Sequence, residues 1–353
     1  MVSKPTLEKT TPVIKNYQNL WQEIADYSTL GLGYFDKYEK QVNYYSKHSL
    51  HLNWISQRAR PYLYFILQEV KKRNIPYEIA LLPIIESGYR PIANSKAKAT
   101  GLWQIMPKTG KMLGLKQNWW YEGRQDIYQS THAALDYLQK LYQKNNQDWL
   151  LALAAYNSGY GTILKARKRY LKLNPHHDDN IDYWAIQPYL PKETQNYVPK
   201  LLAVAYLIEN HQAHKIKLHP VSNAPYFSTI ELDQQVDIHK IAQATQFNLK
   251  DIKNLNTGLL RAATPPKEKY QLLLPVKSAQ IFHQKIAISP NFFKVNWQKH
   301  KVTSGDSLGV IAEKYNTSTH EIKKLNHLKS NLIRIGKLLL IPVRQKKNIN
   351  LDT

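Results

Sequence analysis

Cysteine is absent from all 353 residues. That excludes disulfides, thiolate zinc sites, a cysteine nucleophile and a lipid-modified cysteine anchor within these residues, and leaves the redox compartment open. Long hydrophobic runs are missing too. The best candidates, "YLYFIL", "IALLPII" and "LLAVAYLI", fall far short of the roughly 18 residues that suggest a membrane span, and read as core pieces of helices. The opening "MVSKPTLEKTTPVIKNYQ" lacks the apolar stretch and small-residue cleavage site of a signal peptide, so any export signal is expected to be absent or removed before this numbering begins. Acidic residues are scarce, 26 against 49 Lys plus Arg, a net charge of +23. Such a balance attracts polyanions. Nucleic acid, anionic lipid and anionic wall polymer all satisfy it, as does a lysine-rich surface that is merely solvated.

What is present is modular. The length allows two or three domains, and 43% hydrophobic residues suffice for packed cores. From about Tyr17 to His211 the periodicity is helical: "PYLYFILQEVKKR" and "STHAALDYLQKLYQK" step apolar residues by three and four. In the second, Ser130 is the expected cap and Ala134, Leu135, Leu138 and Leu141 the buried stripe. "ETQNYVPKLLAVAYLIEN" is expected to kink or restart at Pro199.

After "HQAHKIKLHPVSNAP" the pattern changes to a repeat. "IAQATQFNLKDIKNLN" from Ile241 aligns without gaps to "IAEKYNTSTHEIKKLN" from Ile311, at a constant offset of 70. Asn248 with Asp251, and Ser318 with Glu321, are spaced as capping boxes. Strand-like runs precede and close each copy, so each unit reads strand, helix, helix, strand. The second copy, with its "SGDSL" loop, resembles a LysM domain, the small module that binds N-acetylglucosamine-containing polymers. That resemblance implies glycan contacts at Gly305, Asp306, Ser307 and Leu308. The first copy has "ELDQQVDI" in place of "TSGDSL" and resembles a degenerate LysM fold.

In the helical half, "IIESGYRPIANSKAKATGLWQIM" sets Glu86 after an apolar run and before a turn-rich stretch. A helix ending there delivers the carboxyl beside apolar surface, where desolvation and the helix dipole both raise its pKa. The residues from Gly88 to Thr100 should form a loop returning "GLWQIM" toward the acid. Gln104 offers a hydrogen-bonding amide, Trp103 and Met106 apolar surface for a sugar ring, and Gly101 close backbone approach. Taken singly, these are ordinary structural residues: Glu86 could serve an ion-pair network, and Tyr156 and Tyr197 could be core tyrosines.

Together with "LKQNWWYEGRQDIYQSTHAALDYL", "WLLALAAYNSG" and "LPKETQNYVPKLLA", that stretch resembles the lytic murein transglycosylases of the soluble-type (SLT) lysozyme-like fold, here with LysM modules appended. The resemblance implies a mainly α lysozyme-like catalytic domain followed by small α/β LysM-type modules. It makes Glu86 the single catalytic acid, with Ser87, Gln104, Met106, Tyr156, Asn157 and Tyr197 lining the substrate site. It implies cleavage of the β-1,4 bond between N-acetylmuramic acid and N-acetylglucosamine to give 1,6-anhydromuramic ends. A lysozyme-like muramidase and a non-catalytic peptidoglycan-binding scaffold are the alternatives. Two positions depart from the family pattern: Lys98, where glycine is usual, and Tyr160, where an acidic residue is common. No second acid lies in the motifs, although Glu122, Asp126 and Glu193 remain open as partners.

The expected organisation is a polar leader (1–16), catalytic domain (17–212), linker (213–225), degenerate LysM-like module (226–277), linker (278–299), LysM domain (300–343) and basic tail (344–353). The expected partner is the peptidoglycan glycan strand, bound by a monomer in the bacterial periplasm or cell envelope. Any membrane association would run through a segment outside this chain. No nucleic-acid reader motif accompanies the charge, so no nucleic acid is expected. "NPHHDDN" (174–180) reads as an exposed loop, and no metal or cofactor is expected. The charge balance predicts that pelleting with intact wall weakens as salt rises from low to physiological strength, where exposed charges are screened over roughly 8 to 10 Å. Salt-independent pelleting would remove this role from the basic surface.

Overall fold

The computed structural model describes residues 16–175, 181–266, 268–295 and 297–342; the leader up to Lys15, the His176–Asp179 cluster and the basic tail lie outside them. The helical half contains α1 (Leu20–Tyr27), α2 (Phe35–Lys47), α3 (Ser49–Ala59), α4 (Leu63–Lys72), α5 (Leu82–Ser87), α6 (Pro107–Met112), α7 (Ile127–Lys144), α8 (Trp149–Ser158), α9 (Tyr160–Leu173), α10 (Tyr183–Ile186) and α11 (Lys192–Glu209). Helix α8, "WLLALAAYNS", buries every residue from Leu150 to Ala155, so it can only be a central helix. It packs against α7 and α11.

Helix α7 buries Ala134, Leu135, Leu138 and Leu141, the stripe expected from periodicity. Its cap is Asp126 rather than Ser130: the Asp126 carboxylate accepts from Gln129 N at 2.7 Å, and Ser130 is buried in the first turn. A carboxylate there satisfies a free N–H and also meets the positive end of the helix dipole. Pro199 does not interrupt α11. Proline cannot donate to the carbonyl four residues back, but that carbonyl, on Gln195, instead accepts from Gln187 Nε2 at 2.8 Å and from the Tyr183 hydroxyl at 3.2 Å. Side chains from outside the helix complete its bonding, and the helix runs on.

The first module holds β1 (Phe227–Leu232), α12 (Ile238–Thr245), α13 (Leu249–Leu255), β2 (Tyr270–Pro275) and α14 (Val276–Ile288); the second holds β3 (Trp297–Lys301), α15 (Leu308–Lys314), α16 (Thr319–Leu325) and β4 (Leu338–Pro342). Each strand pair is antiparallel. The repeat has a shared bonding device. Asn256 Nδ2 donates to Ile252 O and Leu273 O while its Oδ1 accepts from Leu273 N, and Asn326 does the same with Ile322 O, Leu340 O and Leu340 N, all at 2.7–2.9 Å. One amide thus ends the second helix and fastens it to the closing strand. The Ser318–Glu321 capping box is present, whereas Asn248 caps α13 by accepting from Lys250 N.

Both stretches read as linkers are packed. Residues 213–225 run along α1, where Leu20 N donates to Val221 O and the Trp21 indole to His219 O, each at 2.8 Å. Residues 278–299 carry most of α14 and bury Phe282 and Phe293 in the first module's core. That module also docks on the catalytic domain. Glu122 N donates to Gly258 O at 2.8 Å, Leu260 N to Trp120 O at 2.9 Å, and Thr257 Oγ1 to Gln125 O at 2.6 Å. A Cβ on Gly258 would lie 2.8 Å from Asp126 and Tyr121, so only glycine allows this approach.

The same segment, 120–126, braces the loop that follows α5. The buried Arg124 side chain pairs with Glu122 and donates to Lys98 O at 2.9 Å and Ile105 O at 3.2 Å, while Gln125 Nε2 reaches Thr100 Oγ1 at 2.8 Å. Lys98 itself has φ +68, the left-handed region that glycine occupies without steric cost. Lys98→Gly is therefore expected to stabilise the protein by about 0.5 to 1 kcal/mol, seen as a later midpoint in denaturant unfolding. An unchanged or earlier midpoint would mean the lysine relieves its own strain.

Candidate active site

Glu86 sits at the C-terminal end of α5, a helix with Pro83 in its first turn and a left-handed Gly88 (φ 58) at its end. Gly88 N bonds Ile84 O at 3.2 Å and Tyr89 N bonds Pro83 O at 3.1 Å, closing the last turn. The Tyr89 ring is buried and its hydroxyl donates to Ala80 O at 2.8 Å. These bonds end the helix and turn the chain sharply away just after Glu86.

There the Tyr197 hydroxyl, from α11, donates to Glu86 Oε1. Glu86 keeps a narrow opening to solvent, but most of its surroundings are protein. That burial pushes its pKa up to about 7; the Tyr197 hydrogen bond pulls it down, and the nearby Glu193 charge pushes it up further. Burial and the Glu86 charge together hold both Tyr197 and Tyr156 well above the ordinary phenol range, so both are hydroxyl donors at neutral pH. Tyr156, from α8, donates to Trp103 O at 2.8 Å and so fixes the "GLWQ" turn against the acid.

Of the sequence candidates, Glu86, Tyr156 and Tyr197 converge. Asn157 lies beside them, its Oδ1 accepting from Thr194 Oγ1 at 2.8 Å and its Nδ2 reaching Glu193 Oε1 at 3.4 Å. Met106 is 42% exposed at the start of α6, free to meet a ligand. Ser87 and Gln104 are otherwise employed. Ser87 is buried and donates to Leu102 O at 2.9 Å, tying α5 to the turn. Gln104, at φ +47, donates from Nε2 to Gly101 O and Ala93 O at 2.9 and 3.1 Å, which closes the loop on itself. Trp103 is completely buried with its indole N–H on Thr131 Oγ1 at 3.0 Å, so its ring is a core element and not a sugar platform. Gly101 does allow close approach: a Cβ there would lie 2.1 Å from Arg124 O.

Arg124 was not singled out from sequence. Its signal was the charged pair in "YEGRQD", two residues apart, in a stretch otherwise read only as part of a motif. Of the acids left open from sequence, Glu122 pairs with Arg124 and Asp126 caps α7, whereas Glu193 at the start of α11 is exposed, takes Asn157 Nδ2 at 3.4 Å and acts on Glu86 through its charge. Among the described residues, no group of three or more His, Cys, Asp or Glu could hold a metal ion.

In the second module, Gly305 (φ +87) turns the loop, and Asp306 Oδ2 accepts from Thr303 N, Thr303 Oγ1 and His300 Nε2 at 2.7–2.9 Å. The Thr303 amide and then His300 hold the Asp306 pKa down at about 2. Ser307 caps α15 by accepting from Val310 N at 3.2 Å, and Leu308 is buried beneath it. These side chains shape the loop; its exposed backbone and Gly305 form its outer face.

Three family profiles match in order along the chain: the transglycosylase SLT domain at 64–178, the LysM-like domain of lytic transglycosylase MltD at 226–289, and the LysM domain at 300–342. The second takes in α14, in agreement with its packing on the first module. Membrane-bound lytic murein transglycosylase D of Escherichia coli (strain K12) is 33% identical over 333 residues, covering 92% of this chain and 72% of its own. Membrane-bound lytic murein transglycosylase F of Yersinia enterocolitica is 31% identical over 153 residues, 40% of this chain and 30% of its own. The solved 70 kDa soluble lytic transglycosylase SLT70 of Escherichia coli overlaps 57% of this chain and 34% of its own at 21% identity, with a TM-score of 0.34. With the first relative aligned through both modules, the chain belongs to the lytic murein transglycosylases, enzymes of the SLT type that act on peptidoglycan, in the group of membrane-bound lytic murein transglycosylase D.

Proposed function

We propose that Glu86 alone serves as acid and then base in cutting the β-1,4 bond after N-acetylmuramic acid. The observation that carries this reading is the Glu86 carboxyl at the end of α5, set among protein groups and held by the Tyr197 hydroxyl, with no second carboxylate hydrogen-bonded to it among the described residues. Protonated Glu86 gives its proton to the glycosidic oxygen as the C1–O4 bond breaks, and the substrate's acetamido oxygen supports C1. The resulting carboxylate takes the proton of the muramoyl C6 hydroxyl, whose oxygen bonds C1. The proton ends on Glu86 again, and the product carries a 1,6-anhydro ring. Ordinary two-carboxylate glycosidases place a second acid at a defined separation to activate water or attack C1; here Tyr197 occupies one Glu86 oxygen instead.

Tyr156 and Tyr197 would position the acid and its turn, while Met106 and Asn157 border the sugar path. Ser87 and Gln104 act through the backbone they hold. One chain supplies every group named, so the enzyme works as a monomer. Its substrate puts it in the cell envelope, and the periplasm is the proposed compartment. No helix among the described residues is long and apolar enough to cross a membrane. Membrane association would use a segment other than these helices. The loop Gly305–Leu308 would present the second module to the glycan.

Glu86→Gln keeps the shape and removes the transferable proton, and is expected to cost about 10² to 10⁴ in rate. The check is turbidity clearing of purified sacculi together with product masses. Wild-type products should be lighter by one water than reducing muropeptides; hydrated reducing ends would instead assign a muramidase, and undigested sacculi a scaffold. Tyr197→Phe removes the bond that lowers the Glu86 pKa, so the acid stays protonated to higher pH. The alkaline limb of kcat/KM, expected near pH 7 in the wild type, should move upward in this variant even as its maximum falls. A limb that stays put or moves down would assign that limb to another group.

A further inference from the structure

Between the two modules, and opening toward the catalytic domain, lies a cleft of about 860 Å³. Four cations line it: Lys253 and Arg261 from the first module, Lys324 and Lys337 from the second. Among the described residues none of the four makes an ion pair. The two carboxylates on its wall are already employed, Asp237 on His239 N at 2.8 Å and Glu321 in its capping box. Arg261 lies over the half-buried Trp119 ring of the catalytic domain at 4.1 Å. Lys299 stands over Trp119 and Trp120 at 5.1 and 4.6 Å, and Trp120 stacks on Trp297 at 5.1 Å. Three separate units therefore converge on one positively charged, aromatic-sided space.

The four cations outnumber the two carboxylates of the cleft and repel one another, and Arg261 is partly desolvated as well, which presses its pKa down. An anion entering would relieve both costs, and the guanidinium of Arg261, over the Trp119 ring, is a group that pairs well with a carboxylate. The cleft is of ligand size. Its chemistry favours the peptide stems over stripped glycan: in intact murein the lactyl carboxyl of each muramic acid is consumed in the amide to its peptide, and removing the peptide frees only that one carboxylate where the stem carried several. Free carboxylates in this substrate belong to the peptide stems. Exposed Ile92, six residues after Glu86, also borders the cleft, so its mouth adjoins the loop that leaves the active site.

We propose that this inter-module cleft binds the carboxylate-bearing peptide stems of the murein strand, so that the enzyme holds peptide-substituted glycan in preference to stripped glycan. The inference rests on peptidoglycan as substrate and leaves the Gly305–Leu308 loop as a separate, neutral-sugar contact.

The test titrates two soluble probes against tryptophan fluorescence, which Trp119, Trp120 and Trp297 report. One is the disaccharide tetrapeptide, the other the same disaccharide with its peptide removed. The wild type should bind the first about tenfold more tightly, the scale of a few exposed charge contacts. The combined variant Lys253→Gln, Arg261→Gln, Lys324→Gln and Lys337→Gln should bind both probes equally, with circular dichroism and turnover of peptide-stripped sacculi unchanged. Equal affinity of the wild type for both probes, or an undiminished preference in the variant, overturns the proposal. So does an oligonucleotide of equal charge that displaces the tetrapeptide probe at lower concentration, which would make the cleft a general anion trap. Failure of the wild type to release 1,6-anhydro ends from sacculi, with its peptide preference intact, would count against the catalytic reading instead.

Discussion

The Arg124 guanidinium is the point at which the active-site loop, the turn behind the acid and the first module meet. It is closed from solvent, neutralised by Glu122, and spends its remaining donors on the carbonyls of Lys98 and Ile105. A buried cation left unpaired is costly, so the whole set is held in one arrangement. Its methylenes fill the space beside Gly110, and its own carbonyl presses on Gly101. Those two glycines are therefore required by one arginine. Two residues before and after it, the backbone of Glu122 and the side chain of Asp126 meet Gly258 across the module seam.

The chemistry depends on a second constraint, the low-dielectric setting of Glu86. A short helix ended by Gly88 projects the carboxyl into protein, and desolvation is the chief cause that raises its pKa. Tyr197 opposes that shift, so the pair sets a balance in which both forms of the acid are populated near pH 7. A group that must first give and then take a proton works best at such a balance.

The two modules share a repeat but differ in their attachments. In the first, Leu255, Leu273 and Phe227 join the apolar core of the catalytic domain, while Trp120 and Tyr121 of the catalytic domain join the module's core. The second packs against the first through Trp297 and Leu340, and keeps a small core of its own around Ile311 and Ile322. The first is thus built into the catalytic unit, and the cationic cleft exists only because the second is held beside it.

Helix periodicity, the 70-residue repeat and the ordered motifs were legible in the sequence, because each follows from local spacing and burial of apolar side chains. Glu86 at a helix end, the loop to Thr100 and the tight approach at Gly101 were legible for the same reason. What the chain alone did not reveal was which polar atoms were already engaged. Ser87, Gln104 and Asp306 have the right chemistry for a ligand, yet each also bonds neighbours that the sequence does not order in space. Pro199 stays helical for a reason found ten or more residues away, in Tyr183 and Gln187. Packed linkers, the Asp126 cap and the Arg124 brace belong to the same class. Local pattern determines elements and candidate groups, whereas partners contributed from distant segments decide which of those groups remain free to act.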